Sequence, residues 1–343
     1  MRARVPASSA NLGPGFDTLA VAVNRYVEVS VEPASRLSVR SEGEGAGMSD
    51  DARHLAARVA MDVVGHDRLS IVVRSQIPVA RGLGSSAALA VAAAAAAGSK
   101  DPLAVAARIE GHPDNAAAST LGGLVAATTV KGRVRVVRLA MDPALKMVAI
   151  VADRPLPTFK ARQALPTQVS RDDAAFNLGR MGLLIAGLAD HRLLLREATE
   201  DRLHQDYRAP LFPEAPHLLS ELLLGGALAV CWSGAGPTLI GFTTSKEVSR
   251  LSNRASQALQ SVGISGKVLV LEADTQGLVT GEDARLSSLV VGDTLEDIES
   301  IGGKDHFTLS NKGTTFSNTS SQNIQSDQPQ TEPSSLFDFD TDA

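Results

Sequence analysis

The spacing of apolar and polar positions along the chain predicts a mixed α+β fold. Alternating apolar and polar residues with β-branched side chains predict strands over residues 26–32 and 69–74, and short apolar runs predict further strands at residues 2–5, 227–231, 238–241 and 267–272. Apolar residues at helical spacing predict helices at residues 51–64, 102–109, 173–188 and 246–262. We expect two subdomains, residues 1–145 and 146–280, joined near residues 140–154.

A turn rich in glycine and serine leads directly into an alanine-rich helix at residues 87–97, where helix propensity is very high. Gly82 and Gly84 allow backbone conformations that a side chain would forbid. The N-terminus of the helix directs unpaired amides toward any bound anion. The segment therefore predicts a phosphate site, formed by Pro78, Val79, Ala80, Arg81, Gly82, Leu83, Gly84, Ser85, Ser86, Ala87 and Ala88.

A turn with two glycines before a helix is common, however, and usually only caps that helix. The hydroxyls of Ser85 and Ser86 favour the phosphate site, because they lie where the amides converge and suit a phosphate oxygen or a metal. The turn lacks the Gly-Lys-Ser/Thr ending of a Walker A loop. It also lacks the third glycine and the ribose-binding acid of a dinucleotide site, since Lys100-Asp101 fits that position poorly.

A polar segment with interspersed glycines, residues 6–17, follows the first predicted strand. It reads Pro-Ala-Ser-Ser-Ala-Asn-Leu-Gly-Pro-Gly-Phe-Asp and is expected to be a loop. In an ordinary surface loop, Asn11 and Asp17 would only supply hydrogen bonds to the turn.

Residues 110–115, Glu-Gly-His-Pro-Asp-Asn, are expected to form a turn after the helix at 102–109. A transition-metal site is disfavoured, because zinc usually takes three or four well-spaced protein ligands and Cys231 is far away in the sequence. Magnesium is the better candidate, since it binds through few carboxylates together with substrate phosphates. Glu110 and the Ser86 hydroxyl would suffice for it.

These segments, in this order, resemble the GHMP kinases, and among them the homoserine kinases. Residues 78–87, Pro-x-x-x-Gly-Leu-Gly-Ser-Ser-Ala, resemble the GHMP kinase ATP loop, and residues 9–17 resemble the substrate loop of homoserine kinases. Residues 110–115 are similar to a stretch of bacterial homoserine kinases. Residues 233–238, Ser-Gly-Ala-Gly-Pro-Thr, resemble the C-terminal glycine motif, which otherwise would be a plain turn between strands. The resemblance covers roughly residues 2–275.

The resemblance implies a ribosomal-protein-like N-terminal half and a ferredoxin-like C-terminal half, with the active site between them. It implies phosphorylation of the L-homoserine hydroxyl by ATP with Mg²⁺, giving O-phospho-L-homoserine on the route to threonine. Gly234 and Gly236 would join the ATP-binding residues, because the motif containing them packs against the ATP loop.

The resemblance also assigns roles to individual side chains. The homoserine-binding residues would be Asn11, Asp17, His112, Asn115, Thr158, Arg162 and Arg208. Asp17 would accept hydrogen bonds from the ammonium group, and the two arginines would bind the carboxylate through paired hydrogen bonds. The catalytic residues would be Asn115, Ser86 and Glu110. Phosphoryl transfer mainly requires alignment and charge stabilisation, so Asn115 would orient the hydroxyl.

Three alternatives accompany these assignments. A surface salt bridge competes with the carboxylate-binding role, and more strongly for Arg162 than for Arg208. Another small-molecule kinase of the same fold is disfavoured by residues 11–17 and by Asn115. A ligand sensor without turnover is disfavoured because the candidate phosphate and magnesium groups Ser85, Ser86 and Glu110 are present.

Composition excludes several other classes of protein. Aromatic residues make up only 3% of the chain and there is no basic stripe, so nucleic-acid binding has little support. The apolar runs are too short or too alanine-rich to span a bilayer, and no leader sequence is recognisable. Cys231 is the only cysteine, which excludes an internal disulfide. We expect a buried thiol and a soluble, cytoplasmic protein; a homodimer is one alternative for its oligomeric state.

The acidic charge is concentrated at the C-terminal end. Residues 290–343 contain ten acidic side chains and two lysines, a net −8, so the remaining residues carry +3 within a total of −5. Residues 286–343 have almost no sustained apolar periodicity after Ile301 and are expected to be disordered. This extension departs from the pattern of homoserine kinases, and an inert tail is favoured over a docking segment.

Overall fold

A hairpin of two long strands forms the middle of the larger sheet in the computed structural model, which describes residues 1–286. The strands are β1 Arg2–Asn11, β2 Gly15–Pro33, β3 Ser38–Gly43, β4 Leu69–Ser75, β5 Leu124–Val130, β6 Arg133–Leu139, β7 Leu145–Ala152, β8 Ala229–Trp232, β9 Leu239–Thr244, β10 Gly266–Leu271 and β11 Val279–Thr280. The helices are α1 Leu55–Val64, α2 Ser85–Ala96, α3 Pro102–Glu110, α4 Asp114–Leu121, α5 Thr158–Gln163, α6 Arg171–Ala189, α7 Gln205–Arg208, α8 Ala215–Leu224 and α9 Val248–Ser261.

The larger sheet has the strand order β11-β1-β2-β4-β3, and β5 and β6 extend it from the first half of β2. β3 and β4 are parallel and the other neighbouring pairs are antiparallel. The predicted strands at 26–32 and 69–74 are confirmed within β2 and β4. The sheet therefore supplies a rigid base from which the connection between β1 and β2 projects.

The alanine-rich helix α2 packs against β1 and β2 and is flanked by α1, α3 and α4. Nine of its residues are buried, and all of them are alanine or valine. Such small side chains let neighbouring elements approach closely, and close packing holds an element in one position. The N-terminal turn of α2 is consequently fixed relative to the sheet.

The smaller sheet has the antiparallel order β10-β7-β9-β8, with α8 and α9 packed against it. Numbered by their order in the chain, its strands follow the 4-1-3-2 pattern of the ferredoxin-like arrangement. Phe212 and Trp232 meet edge to face in its core, with ring centroids 6.1 Å apart. Cys231 is fully buried, and burial raises the pKa of its thiol to about 12, which confirms the expected buried thiol. The predicted α+β class with a ferredoxin-like half is confirmed.

One prediction about an irregular segment is wrong. Residues 6–17 are mostly strand, because β1 continues to Asn11 and only residues 12–14 separate it from β2. Residues 5–11 are buried without alternation, so they lack the pattern of a half-exposed strand.

The expected junction at 140–154 contains β7, which pairs with both β9 and β10. The division at residues 145/146 falls at the start of this strand and stays a prediction.

Helix α1 begins at Leu55, four residues later than predicted, because the His54 side chain caps it by accepting from the Ala56 amide at 3.1 Å. The other predicted helices are confirmed to within a few residues. No helix within residues 1–286 has the length and apolar character needed to cross a membrane. Of the tail predicted at 286–343, all but Leu286 lies outside the described residues.

We expect Gly82→Ala to destabilise the fold more than Gly65→Ala. Both glycines have a left-handed φ, +85° at Gly82 and +80° at Gly65, so an alanine at either costs about 1–2 kcal/mol of conformational energy. A Cβ at Gly82 would in addition overlap the carbonyl oxygen of Ser233, whereas a Cβ at Gly65 would meet no atom within 4 Å. Overpacking of that kind typically costs about 1–3 kcal/mol more. Urea unfolding measures both losses, and equal losses would contradict the close approach at Gly82.

Candidate active site

A cavity of about 300 Å³ opens where the N-terminus of α2, the connection between β1 and β2, and helices α5 and α7 converge. Most of the predicted site residues line it: Asn11, Asp17, Val79, Ala80, Arg81, Gly82, Gly84, Ser85, Ser86, Ala87, Glu110, His112, Asn115, Thr158, Arg162, Arg208 and Gly234. Four do not, namely Pro78, Leu83, Ala88 and Gly236. The first three are buried behind the turn, and Gly236 packs closely on the ring of Trp232.

The N-terminus of α2 faces this cavity without a capping side chain. Gly84 occupies the N-cap position with φ +65° and makes no side-chain hydrogen bond to the helix. Ser85, Ser86 and Ala87 follow it and line the cavity, so the free amides of the first turn lie at the cavity wall. The helix dipole adds partial positive charge there. This end of the cavity is suited to an anion such as phosphate.

Three chain segments hold the turn before α2 in place. The Ser233 hydroxyl donates to the Gly82 carbonyl at 2.7 Å, and the Ser8 amide donates to the Leu83 carbonyl at 3.2 Å. A Cβ at Gly84 would lie 2.9 Å from the amide oxygen of Asn115. The turn therefore touches β1, α4 and the segment at 233–238, as the C-terminal glycine motif was expected to do.

Ser86 and Glu110 are joined directly at the edge of the cavity. The Ser86 hydroxyl donates to Glu110 Oε1 at 2.6 Å, which brings together residues from α2 and from the end of α3. Hydroxyl and carboxylate oxygens are hard ligands of the kind that magnesium takes. The donor set predicted for Mg²⁺ is thus assembled next to the glycine-rich turn before α2.

Two predicted substrate-binding side chains bind each other in this structure. Arg162 donates from Nη1 and Nη2 to the two carboxylate oxygens of Asp17, at 3.0 and 2.6 Å. Both side chains are about one-third exposed, 37% for Arg162 and 34% for Asp17. The pair lies on the cavity wall, so its charges are accessible to a ligand.

Asn11 is buried, and both ends of its amide contact the backbone. Its Nδ2 donates to the Gly234 carbonyl at 2.8 Å, and its Oδ1 accepts from the Asp17 amide at 3.0 Å. Asn11 and Asp17 both have positive φ, +70° and +51°. Asn11 thereby fixes the backbone that carries the Asp17 carboxylate, and its predicted contact with substrate stays a prediction.

Asn115 lies in the first turn of α4 in a network of buried polar groups. Its Oδ1 accepts from the Ser8 hydroxyl at 2.9 Å. Asp114 is 1% exposed and accepts from the Asn115 amide and from His112 Nδ1, each at 2.7 Å. Burial would lower the pKa of His112, but the hydrogen bond and the charge of Asp114 outweigh it and raise the pKa. Asn115 is thereby held in one orientation at the wall of the cavity.

Arg208 is 2% exposed, yet it reaches the cavity from the side of α7. Its Nη1 donates to the Gly234 carbonyl at 2.9 Å and to His204 Nδ1 at 3.0 Å. Burial and then the nearby Arg162 lower the pKa of Arg208 to about 10, so it remains cationic at neutral pH. A fixed positive charge is therefore available on the part of the cavity wall that α7 contributes.

The sequence did not assign a role to Phe16 or His204, which complete this side of the site. Their rings stack at 5.3 Å, and the Cζ atoms of Arg162 and Arg208 lie 5.7 and 5.6 Å from the Phe16 centroid. Phe16 immediately precedes Asp17, and His204 precedes Arg208 by one helical turn. Their positions close in sequence to the candidate residues Asp17 and Arg208 are the signal that could have identified them.

Asp17, His112 and Asp114 also place ligand atoms within 4.8 Å of one another. Their atoms are already engaged, because Asp17 is paired with Arg162 and His112 Nδ1 with Asp114. The ligand atoms of this group are accordingly taken up by hydrogen bonds and ion pairs. A second such group, Asp142, Asp190 and His191, does not line the cavity.

Comparisons with known proteins place this geometry in a class of enzymes. The chain matches the GHMP kinases N terminal domain over residues 51–123 and the GHMP kinases C terminal domain over residues 183–261. It is also similar in fold to a mevalonate kinase of L. major in complex with R-mevalonate, with a TM-score of 0.61, 16% identity and coverage of 81% of this chain and 96% of that one. The class is therefore that of the GHMP kinases.

Closer relatives are homoserine kinases. That of Desulfitobacterium hafniense is 36% identical over 81% of this chain and 98% of the relative, and that of Rhodococcus opacus is 42% identical over 71% and 87%. The crystal structure of homoserine kinase from Cytophaga hutchinsonii superimposes with a TM-score of 0.72, at 26% identity, covering 81% of this chain and 96% of that one. The chain belongs to the homoserine kinase family.

We expect Asp114→Asn to lower the pKa of His112. The hydrogen bond and charge of Asp114 would be lost, while burial and the Arg162 charge, which both lower this pKa, would remain. His112 should titrate above its ordinary value of about 6.5 in the wild type and below it in the variant. NMR titration of the ring measures both values, and Asp67→Asn, at an exposed position before β4, is the control that should leave His112 unchanged.

The raised pKa of His112 also determines how the free energy of unfolding changes with pH. Because the folded-state pKa of His112 is raised, its protonation stabilises the fold below the unfolded pKa of about 6.5, and this contribution is lost as pH rises through the folded pKa. The free energy of unfolding, measured between about pH 5 and 8, should fall less steeply with pH in Asp114→Asn. Equal slopes in the two proteins would contradict the pairing.

Proposed function

We propose that this protein transfers the γ-phosphoryl group of ATP to the side-chain hydroxyl of L-homoserine, giving O-phospho-L-homoserine and ADP, a step of threonine biosynthesis. The observation that carries the proposal is the meeting, in one cavity, of an uncapped helix N-terminus with a carboxylate and two guanidinium groups. The first suits a phosphate chain and the second suits an amino acid. Membership of the homoserine kinase family supports the same reaction.

ATP would place its phosphates at the N-terminus of α2, where the amides of Ser85, Ser86 and Ala87 can donate to them. The cavity continues from there to an apolar end, lined by Val27, Met48, Leu55, Val73, Val79 and Leu89. Apolar walls with a few polar groups are typical of sites that bind organic ligands. We therefore assign this end to the adenine base.

Ser86 and Glu110 would hold Mg²⁺, since their oxygens are adjacent and lie beside the turn that would bind phosphate. When bound, the ion would neutralise charge on the phosphates. The two side chains contribute by fixing oxygens on α2 and α3, which are themselves packed together. Few protein ligands are needed, because phosphate oxygens and water complete a magnesium site.

Homoserine would bind by exchanging partners with the Asp17–Arg162 ion pair. Its ammonium would take the place of the guanidinium at Asp17, and its carboxylate would take the place of Asp17 at Arg162. Arg208 would also bind the substrate carboxylate, through its Nη2. This is the one nitrogen of the Arg208 guanidinium that makes no hydrogen bond within residues 1–286. An amino acid carries both an ammonium and a carboxylate, so it pairs with Asp17 and with both arginines. A ligand with only one of these charges leaves either Asp17 or the arginines without a partner.

Asn115 would orient the homoserine hydroxyl toward the phosphates. Its Oδ1 is fixed by Ser8, so its Nδ2 has a defined direction, with a long 3.4 Å contact to Asp114. In the transfer, the hydroxyl oxygen bonds to the γ-phosphorus, the bond from phosphorus to the ADP oxygen breaks, and the hydroxyl proton is released. Alignment and charge stabilisation are sufficient to accelerate such a transfer.

The reaction is tested by ADP release with a panel of homoserine, serine, threonine, mevalonate and galactose, each with and without Mg²⁺. We expect turnover with homoserine only, and only when Mg²⁺ is present. Turnover with mevalonate or galactose instead would overturn the substrate. ATP binding by calorimetry without turnover of any of the five would favour a ligand sensor.

We expect Arg162→Leu to weaken the binding of homoserine without affecting ATP. Loss of hydrogen bonds to a charged group costs about 1.5–3 kcal/mol, which is reduced here by partial exposure of Arg162, so kcat/KM for homoserine should fall by about ten-fold. The KM for ATP should not change. Arg192→Leu is the matched control, because Arg192 is also paired with an aspartate but is 79% exposed and does not line the cavity.

A substrate analogue separates the two roles within the ion pair. 3-Aminopropan-1-ol has the ammonium and hydroxyl of homoserine but lacks its carboxylate. Its weak turnover should therefore be no lower in Arg162→Leu than in the wild type. If the variant lost activity equally with both compounds, Arg162 would be acting on the shape of the site and the exchange of partners would be wrong.

A further inference from the structure

His204 is a fully buried histidine that connects two parts of the candidate active site. Its Nε2 lies 2.8 Å from the carbonyl oxygen of Gly13, in the connection between β1 and β2. Its Nδ1 lies 3.0 Å from Nη1 of Arg208. The imidazole thus stands between the backbone beside the Asp17 segment and a guanidinium assigned to the substrate carboxylate.

The partners of the ring determine its tautomer. A carbonyl oxygen can only accept, so Nε2 must carry the proton that is donated to Gly13. A guanidinium can only donate, so Nδ1 must present its lone pair to Arg208. His204 is therefore neutral with the proton on Nε2. A second proton on Nδ1 would oppose the Arg208 donor directly.

Burial favours the same neutral state of the ring, against the charges of the nearby carboxylates. Burial holds the pKa of His204 below its ordinary value; Asp201 acts in the opposite direction, and the Arg208 charge adds to the lowering. Asp201 itself is occupied, since its Oδ2 accepts from the amides of His204 and Gln205 at 2.8 and 2.7 Å. Asp17 is the remaining carboxylate that acts on the ring.

His204 also restricts how Arg208 can turn. Nη1 of Arg208 has two hydrogens, and these are used by His204 Nδ1 and by the Gly234 carbonyl. The ring of Phe16 stacks on His204 and lies 5.6 Å from the Arg208 Cζ. With Nη1 bound on two sides and an aromatic ring nearby, the guanidinium plane has one orientation, and Nη2 remains for a ligand.

We propose that His204 is a positioning residue for homoserine binding, which fixes the Arg208 guanidinium by accepting its hydrogen bond while donating to the Gly13 carbonyl. That the bound substrate is homoserine rests on the proposed function, whereas the geometry of His204 and Arg208 comes from the structure. Because the orientation of Arg208 is established before the substrate arrives, the carboxylate does not bear the entropic cost of ordering it. His204 itself does not line the cavity.

Two amide substitutions separate the two hydrogen bonds of the ring. In His204→Asn, the amide lies near the position of Nδ1 and can still accept from Arg208, while the bond to Gly13 is lost. In His204→Gln, the amide reaches the position of Nε2 and can still donate to Gly13, while the acceptor for Arg208 is lost. His204→Phe keeps a ring against Phe16 and loses both. His217→Asn, at an exposed position of α8, is the control.

We expect the KM for homoserine to rise by about 10- to 100-fold in His204→Gln and His204→Phe, with the KM for ATP unchanged. His204→Asn should remain within about three-fold of the wild type, the context-dependent spread expected when a hydrogen bond is kept. The opposite order, with Gln close to the wild type and Asn impaired, would mean that His204 only secures the turn at Gly13. Unchanged homoserine KM in all three would overturn the proposal, and thermal melting identifies any variant that does not fold.

Coupling to Arg208 provides a second measurement. Arg208→Lys should itself raise the homoserine KM, because an ammonium cannot reproduce the planar guanidinium. Adding His204→Phe to Arg208→Lys should then cause little further loss, since the group that His204 positions is already gone. Fully multiplicative losses would show that the two residues act independently and would contradict the positioning role.

The tautomer is measurable without any turnover. Two-bond ¹H–¹⁵N NMR spectra distinguish a protonated from an unprotonated imidazole nitrogen, and the His204 signals are identified by their absence in His204→Asn. We expect a protonated Nε2 and an unprotonated Nδ1. A protonated Nδ1 would overturn the proposal even if the wild type phosphorylates homoserine. Absence of homoserine turnover in the wild type, with the expected tautomer, would instead count against the proposed function alone.

Discussion

Contact of the segment at 233–238 with the turn at residues 81–84 and with the end of β1 is the constraint on which the rest of the site depends. The Ser233 hydroxyl reaches the Gly82 carbonyl at 2.7 Å, the Thr238 amide reaches the Arg81 carbonyl at 3.2 Å, and the Gly234 amide reaches the Ala10 carbonyl at 2.9 Å. Only a glycine at position 82 permits this approach, because a Cβ there would overlap the Ser233 carbonyl oxygen. The contact brings the N-terminus of α2, carried by the larger sheet, beside the arginines carried by segments that connect β7 with β8.

The balance of charges at this junction suits an amino acid as ligand. Two guanidinium groups share one side of the cavity, and Arg162 is among the causes that lower the pKa of Arg208 to about 10. Asp17 offsets Arg162, while Arg208 is stabilised by neutral acceptors, the Gly234 carbonyl and His204. A single carboxylate near both arginines would relieve their repulsion, and an ammonium would keep Asp17 paired. The favoured ligand is one that carries both charges a few atoms apart.

Local sequence patterns were sufficient for most helices and for the glycine-rich turn before α2, because periodicity and glycine placement are local properties. They failed for β1, since Ala7, Ser8 and Ser9 are small residues that are all fully buried and show no alternation. They also failed for the pairing of Asp17 with Arg162, which lie 145 residues apart in the sequence and meet only in the folded chain. The roles of Phe16 and His204 were missed for the same reason, since their significance lies in contacts with distant segments.

Backbone conformation at the end of the β1–β2 hairpin links these observations. Asn11, Leu12 and Asp17 all have positive φ, a conformation that costs of order 1 kcal/mol or more for each non-glycine residue. The Asn11 amide holds the segment at both ends, through Gly234 and the Asp17 amide, and the Gly13 carbonyl is held by His204. These bonds offset the strain and hold the end of the hairpin in one conformation. A flexible loop could carry the same aspartate, but it would not keep the carboxylate at a fixed distance from the guanidinium groups and from the N-terminus of α2. Phosphoryl transfer depends on alignment of that kind.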